Sequence, residues 1–178
     1  MSAAMSDDTI QGIARVDPRA HRPAWMRAGQ WLAATRAGVA IHRRVGAPLD
    51  ALLVRVTGGR ASLAMGAAPV VVLISTGARS GRRRETVLQY FTDADDVILI
   101  ASNYGGPGHP SWYYNLKAHP ECQLQTGSRG GRFVAREAYD AHRERLFALA
   151  VQLYRGYGSY AKRTQGTRRI RVLRLTPA

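Results

Sequence analysis

The sequence predicts an α+β protein built on a small β-barrel, with about six mostly antiparallel strands and flanking helices. Three observations carry the prediction. Short strand-like segments recur from Pro69 onward. They follow one another in hairpin order through Gly- and Asp-bearing turns, which makes antiparallel neighbours. The helical segments fall between pairs of strands rather than after every strand, which fits a barrel better than a doubly wound parallel sheet.

Taken in order, residues 1–23 read as a flexible tail ending at Pro23, and residues 24–178 as one domain that opens on an amphipathic helix. From Ala24 to Val45, Trp25, Leu32 and Val39 recur at intervals of seven, and Gly46 and Pro48 stop the pattern. A basic helix with two tryptophans either packs on its own domain or lies on an anionic membrane surface. Leu49–Val56 is a short apolar segment closed by Thr57-Gly58-Gly59. Pro69–Ser75 is β-branched and continuously apolar, as a strand buried on both faces should be. Arg84–Thr92 alternates, with Thr86, Leu88 and Tyr90 on one face and Val87, Gln89 and Phe91 on the other. Asp93–Asp96 is a turn and Val97–Ser102 the next strand. Pro110 suits the first turn of a short helix that runs to Ala118 and stops before Pro120. Glu121–Thr126 and Gly131–Ala138 form a hairpin through Gly127-Ser128-Arg129-Gly130. Asp140–Arg155 is an amphipathic helix, and Arg169–Leu175 closes the set after a tyrosine-rich segment.

The chain of 178 residues carries a net charge of +14, nearly all from arginine. Such an excess calls for an anionic partner, whether nucleic acid, an acidic membrane or a polyanionic small molecule, unless it is only a solvated surface. The single cysteine, Cys122, excludes an intrachain disulfide. No apolar run approaches the ~20 residues of a membrane span, and no secretory signal opens the chain, so a cytoplasmic protein is expected, with peripheral contact at the inner membrane face as an extension.

Three constellations stand out. In Thr76–Arg84, Gly77 and Gly81 let backbone N–H groups converge, while Arg79, Arg82, Arg83 and Arg84 add planar donor forks for phosphate or carboxylate. A hairpin turn with solvated arginines is the competing reading. The glycine-rich loop Ala101–Pro110 leads from a strand into a helix start, where Ser102, Asn103 and the backbone can meet a heterocycle edge. His109 there is a base or a structural cap. Tyr154, Tyr157 and Tyr160, spaced by three, form an aromatic wall with hydroxyl tips, or cap the core. Histidines are scattered, no metal or nucleophile-elbow pattern is present, and chemistry is thereby pushed onto a bound cofactor. Aromatics cluster with glycines at strand ends rather than along a groove, which argues against nucleic acid.

The ordered motifs TGARSGRRRETVLQY, ASNYGGPGHPSWYYNLKAHP and YRGYGSY resemble the deazaflavin-dependent nitroreductase family of actinobacteria over Ala47–Thr176. The resemblance implies a split β-barrel of the FMN-binding-like type, the deazaflavin coenzyme F420, and hydride transfer from its reduced form to a quinone-like or nitroaromatic acceptor. FMN on the same barrel is the rival cofactor, and a non-enzymatic basic module that binds membrane or nucleic acid is the rival class. The resemblance further implies that Arg79 and Arg84, with the backbone of Ser80, Gly81, Arg82 and Arg83, grip the phosphate and polyglutamate tail. Val87 and Tyr90 would pack near the deazaflavin. Ser102, Asn103, Gly105, Gly106, His109, Pro110 and Trp112 would line its ring and linker. Tyr154, Tyr157 and Tyr160 would face the acceptor, with Tyr157, Tyr160 or Ser102 supplying a proton. The chain departs from the family pattern at Ala78, Val87 and Gly108, where a basic residue, proline and a basic residue are common.

Overall fold

The computed structural model describes residues 8–20 and 69–178. The helix expected over Ala24–Val45 and the apolar segment Leu49–Val56 lie outside the described residues. Among the described residues, eight strands and three α-helices run in the order β1 (Thr9–Ile10), β2 (Ile13–Ala14), β3 (Val70–Thr76), β4 (Arg83–Asp93), β5 (Asp96–Ala101), α1 (Ser111–Ala118), β6 (Glu121–Thr126), β7 (Arg129–Glu137), α2 (Asp140–Leu153), α3 (Gly156–Thr164) and β8 (Arg171–Pro177). A single 3-10 turn, Asn103–Gly105, follows β5.

Strands β3 to β8 close into a barrel in the order β3-β4-β5-β8-β7-β6, every pair antiparallel. Each hairpin places sequence neighbours side by side. Closure is made by β3 against β6, with Leu73 opposite Leu124. The period-2 alternation of a strand then sorts side chains between lumen and exterior. Val71, Leu73, Tyr90, Leu99, Leu124, Phe133 and Leu175 fill the lumen. Phe91, Ile98, Ile100 and Val172 point outward and are covered by Leu146, Leu149, Ala150 and Leu153 of α2. Burying a leucine of this kind contributes about 1.5–3 kcal/mol, so α2 is held mainly by this apolar face. Arg143 adds a polar anchor, donating from Nε and Nη2 to the carbonyl of Ile170 at 3.2 and 2.7 Å.

Residues 8–20 correct the expectation of a flexible N-terminal tail. Thr9–Ile10 and Ile13–Ala14 pair as a small hairpin, and Ile10 and Ile13 join the lumen cluster. Tyr90 donates its hydroxyl to the carbonyl of Ala14 at 3.1 Å, and Thr92 and Val16 exchange hydrogen bonds at 2.9 and 3.0 Å. The reason is compositional: Ile10 and Ile13, directly flanking a tight Gln11-Gly12 turn, can bury an apolar pair, which short polar tails lack. The turn at Ala94-Asp95 is tied down by Arg15, which donates to the Ala94 carbonyl at 2.6 Å and to Asp95 at 2.7 Å.

Two further boundaries differ from the sequence expectation. The β6–β7 turn is tighter than expected, because Thr126 pairs with Arg129 and leaves only Gly127 and Ser128 in the loop. The tyrosine-rich segment after α2 is helical, forming α3. Its two glycines weaken the helical signal in the sequence, and packing against the loop after β5 overrides that penalty. Cys122 sits in the lumen, where burial pushes its thiol up to about 12.

Candidate functional site

The basic turn between β3 and β4 is shaped by two backbone bonds. Gly77 N–H donates to the Arg82 carbonyl and Gly81 N–H to the Gly77 carbonyl, each at 2.8 Å. Gly81 has φ of +63°, a left-handed position that glycine adopts without strain. At Gly77, a Cβ would lie 2.6 Å from Ser80 Oγ, so the turn closes on the absence of a side chain. Arg79, Ser80, Gly81, Arg82, Arg83 and Arg84 are all exposed. Arg83 is engaged by Glu85 at 2.9 Å. Arg79, Arg82 and Arg84 meet no carboxylate among the described residues, which leaves three cations pointing at solvent on one rim.

Helix α1 connects this rim to the glycine loop. Asn115 Oδ1 accepts the N–H of Ala78 at 2.9 Å, and Asn115 Nδ2 donates to Ser75 Oγ at 3.4 Å. Asn115 lies about one helical turn, ~6 Å of rise, beyond Ser111, the first residue of α1. The glycine loop ends at Pro110, the N-cap of the same helix. The two glycine-bearing segments singled out in the sequence are thus brought to one side of the barrel, spaced by a turn of helix. Asn115 was quoted in the motif but not read as a site residue, since a mid-helix Asn carries no signal that it caps a distant turn.

The loop itself is strained and internally bonded. Asn103, Tyr104 and Gly105 have φ of +47°, +54° and +74°. Two non-glycine residues in the left-handed region cost about 1–3 kcal/mol each, so the surroundings must hold them. Asn103 Nδ2 donates to the Gly108 carbonyl at 2.9 Å, and Gly106 N–H to the Asn103 carbonyl at 2.9 Å. Arg168 reaches in from between α3 and β8, with Nη2 2.6 Å from the Ser102 carbonyl and Nε 2.9 Å from that of Gly106. Arg168 was absent from the sequence reading because it lies some sixty residues from its partners. His109 stacks on Tyr113, ring centroids 4.8 Å apart, and its pKa is lowered, first by burial and then by the Arg168 charge.

On its other side the loop meets the tyrosines. A Cβ on Gly105 would lie 3.2 Å from Tyr160 Cα, and the rings of Tyr104 and Tyr160 are 6.3 Å apart, edge to face. Tyr154, Tyr157 and Tyr160 cluster as expected, with ring centroids 5.4 to 6.3 Å apart. They are deeply buried rather than an open wall: the three are 7, 5 and 3 % exposed and belong to the cluster under α2. Their hydroxyls bond inward, Tyr154 with Tyr160 at 3.2 Å and Tyr157 to Gln89 Oε1 at 3.3 Å. Burial raises the pKa of all three phenols. They are held protonated as hydrogen-bond donors.

Two expected cofactor residues do not reach this surface. Tyr90 faces the lumen, as Leu88 does, while Val87, Gln89 and Phe91 face outward. Period 2 forbids Val87 and Tyr90 from sharing one face, and Val87 is the one on the tyrosine side. Trp112 is 5 % exposed and packs in the lumen cluster with Leu116, one helical turn on, so it anchors α1 instead of lining the loop. Ser102, Asn103, Gly105, Gly106, His109 and Pro110 all remain on the loop or at its junction with α1 and are partly exposed.

A closed antiparallel barrel, with an arginine rim and a glycine loop joined by a helix on one side, is the split-barrel architecture of F420-dependent reductases. The family described as F420H(2)-dependent quinone reductase matches residues 47–177, and the chain belongs to that family. It is similar to an F420H(2)-dependent quinone reductase of Mycobacterium tuberculosis, 34% identical over 143 residues, covering 76% of this chain and 95% of the relative. Among solved structures it is similar to an F420-H2 dependent reductase, 36% identical, TM-score 0.55, covering 60% of this chain and 93% of that one. It is also similar to a chain described as a domain-swapped dimer, 31% identical, TM-score 0.57, covering 72% of this chain and 98% of that one.

The residues present fit the coenzyme. F420 is a flat ring on a polyanionic tail, and the exposed cations Arg79, Arg82 and Arg84 belong to a turn that α1 ties, through Asn115, to the same end of the barrel as the glycine loop.

Proposed function

We propose that the chain reduces a quinone at the expense of reduced F420, with the arginine rim as tail site, the glycine loop as ring and linker site, and the α3 tyrosines as the acceptor side. The observation that carries the reading is the joining of rim and loop by α1 through Asn115 and Ala78. When bound, the reduced coenzyme supplies the hydride. A quinone that gains a hydride needs one proton to become the hydroquinone, and the chain's part is to provide that proton, orient the acceptor and keep water out.

Arg79 and Arg84 neutralise the tail, with the backbone N–H groups of Ser80, Gly81, Arg82 and Arg83 beside them. Val87 and Gln89 share the outward face of β4 and lead from the rim toward Tyr157. Tyr157, Tyr160 and Ser102 are the hydroxyls assigned to proton supply; burial keeps both phenols protonated but makes them weaker acids, so a proton leaves one only as negative charge develops on the acceptor beside it. Both phenols are buried, and Tyr104 packs on Tyr160, so an acceptor meets them only where these rings part. Nitroaromatics, also flat and electron-poor, are accessory substrates of the same side. The apolar nature of quinones pairs with membrane docking of the segment Ala24–Val45, to be tested by liposome flotation with and without residues up to Val45.

Fluorescence titration of the purified protein with oxidised F420, with FMN in parallel, tests the core of the reading. Tight, salt-sensitive binding of the deazaflavin alone is expected. Preferential binding of FMN keeps the barrel and changes the chemistry, and binding of neither removes the reductase assignment.

A further inference from the structure

Arg168 engages the glycine loop from behind with all its donor nitrogens. Nε meets the Gly106 carbonyl at 2.9 Å and Nη2 the Ser102 carbonyl at 2.6 Å. Nη1 lies 3.3 Å from the Ala101 carbonyl and 3.1 Å from His109 Nδ1. Within the loop, Asn103 Nδ2 takes the Gly108 carbonyl, and the carbonyls of Ser102 and Asn103 also accept from Gly105 and Gly106. The acceptors of Ala101, Ser102, Asn103, Gly106 and Gly108 are therefore all occupied inside the protein.

The His109 contact decides a tautomer. A guanidinium only donates, so Nδ1 is the acceptor and the hydrogen of the neutral ring sits on Nε2. The charges around the ring oppose the imidazolium: Arg168 ahead of β8, Arg171 on β8 and Lys117 on α1 repel it. Among the described residues, the carboxylate acting on it, Glu137 on β7, is already shared between the Tyr113 hydroxyl at 2.9 Å and Arg171 at 3.1 Å. The ring also packs against the α1 aromatics Tyr113 and Tyr114, and the Tyr113 hydroxyl donates to Glu137.

We infer that Arg168 is a positioning residue that turns the Ala101, Ser102 and Gly106 carbonyls of this loop inward and fixes His109 with Nε2–H as a side-chain donor toward the carbonyl or anionic oxygens of the bound coenzyme. The inference rests on the assignment of this loop to the coenzyme. With those carbonyls engaged inside the protein and His109 held as a donor, this part of the loop favours a ligand edge that accepts hydrogen bonds.

Ring 15N NMR of the coenzyme-free protein tests the lock directly. His109 is expected as the Nε2–H tautomer, titrating below the ordinary ~6.5 of histidine. Arg168→Met is expected to let the ring exchange between tautomers and to weaken F420 binding about tenfold, with circular dichroism unchanged. Arg168→Lys restores the positive charge but not the fork, and is expected to leave both defects. An Nδ1–H or charged ring in the wild-type protein overturns the inference. So does a folded Arg168→Met protein with the wild-type tautomer and dissociation constant. If Arg168→Met does not fold, the wild-type spectrum and the lysine variant decide. If the wild-type protein binds no F420, the proposed function fails, and the NMR arm still reports whether Arg168 fixes the ring.

Discussion

Asn115 on α1 caps a turn thirty-seven residues away by accepting the N–H of Ala78 at 2.9 Å. Its amide also donates to Ser75 Oγ, so one side chain fastens both the end of β3 and the first residues of the basic turn. The arginine rim owes its position beside the glycine loop to this contact. Replacing Asn115 with Leu keeps the volume and removes both bonds, leaving the Ala78 N–H without its partner. A stability loss of about 1–3 kcal/mol is expected, read by urea unfolding, with weaker F420 binding by titration. Wild-type affinity in a folded variant would separate the rim from the coenzyme.

The arginines of the rim are not equivalent. Arg84 meets no carboxylate among the described residues, while Arg83 is paired with Glu85. Arg84→Ala is expected to raise the F420 dissociation constant, with the defect largest at low salt and shrinking as ionic strength rises. Arg83→Ala should do less. The measurement is titration at several salt concentrations, and equal effects of the two substitutions would remove the tail assignment.

Tyr157 and Tyr160 test the proton supply. Tyr157→Phe or Tyr160→Phe deletes a single buried hydroxyl and is expected to lower quinone turnover about 10²-fold, the lower end for lost general-acid help. F420 affinity should stay nearly unchanged, since neither hydroxyl touches the rim or the loop backbone. Steady-state rates with unchanged turnover in both variants would eliminate the donor role.

The Asp93–Arg145 pair sets a pH dependence of stability. Arg145 donates to both carboxylate oxygens at 2.9 and 2.6 Å, and this bond lowers the Asp93 pKa against a smaller opposing effect of burial. A carboxyl lowered in the folded state contributes stability that is fully present above ~3.9 and lost as pH falls below that value. The pair is partly exposed, so its worth is about 1 kcal/mol or less. Arg145→Ala should therefore be less stable than wild type at pH 7, and the gap should close in acid unfolding measurements as Asp93 becomes protonated.

Ile13, fully buried, anchors the N-terminal hairpin over the lumen. Ile13→Ala is expected to cost about 2–5 kcal/mol, measured by thermal or urea unfolding. A cost under ~0.5 kcal/mol would show that the hairpin packs only loosely on the barrel.

The fold was legible in the sequence where periodicity was strong. The apolar run after Pro69, the alternation from Arg84 and the stripe of α2 each mark an element to within a residue or two of its observed bounds. Alternation also held the means to place Tyr90: Leu88 and Tyr90 share a face, and the lumen claims it. Helix spacing likewise paired Trp112 with Leu116 as core residues. Motif resemblance pulled both toward the ligand side against that local physics. The basic turn and the glycine loop could be found as segments, but not the contacts that align them. Asn115 with Ala78 and Arg168 with the loop join residues far apart in sequence, and neither spacing nor composition encodes such pairs. The isoleucines at 10 and 13 are too few to stand out against a polar terminus until the barrel mouth they fill is present.

Strand β8 is made after the other five strands of the barrel, yet it sits between β5 and β7. Until residues 171–177 have left the ribosome, β5 and β7 each present an unpaired row of backbone amides and carbonyls. The nascent chain therefore exists for a time as an open sheet with two sticky borders, the state in which edge-to-edge association and strand exchange between copies are easiest. Insertion of the final strand converts that vulnerable intermediate into a seamless cylinder in a single late step. Damage to Val172, Leu173 or Leu175 is thus expected to surface as aggregation during synthesis before it surfaces as lost catalysis.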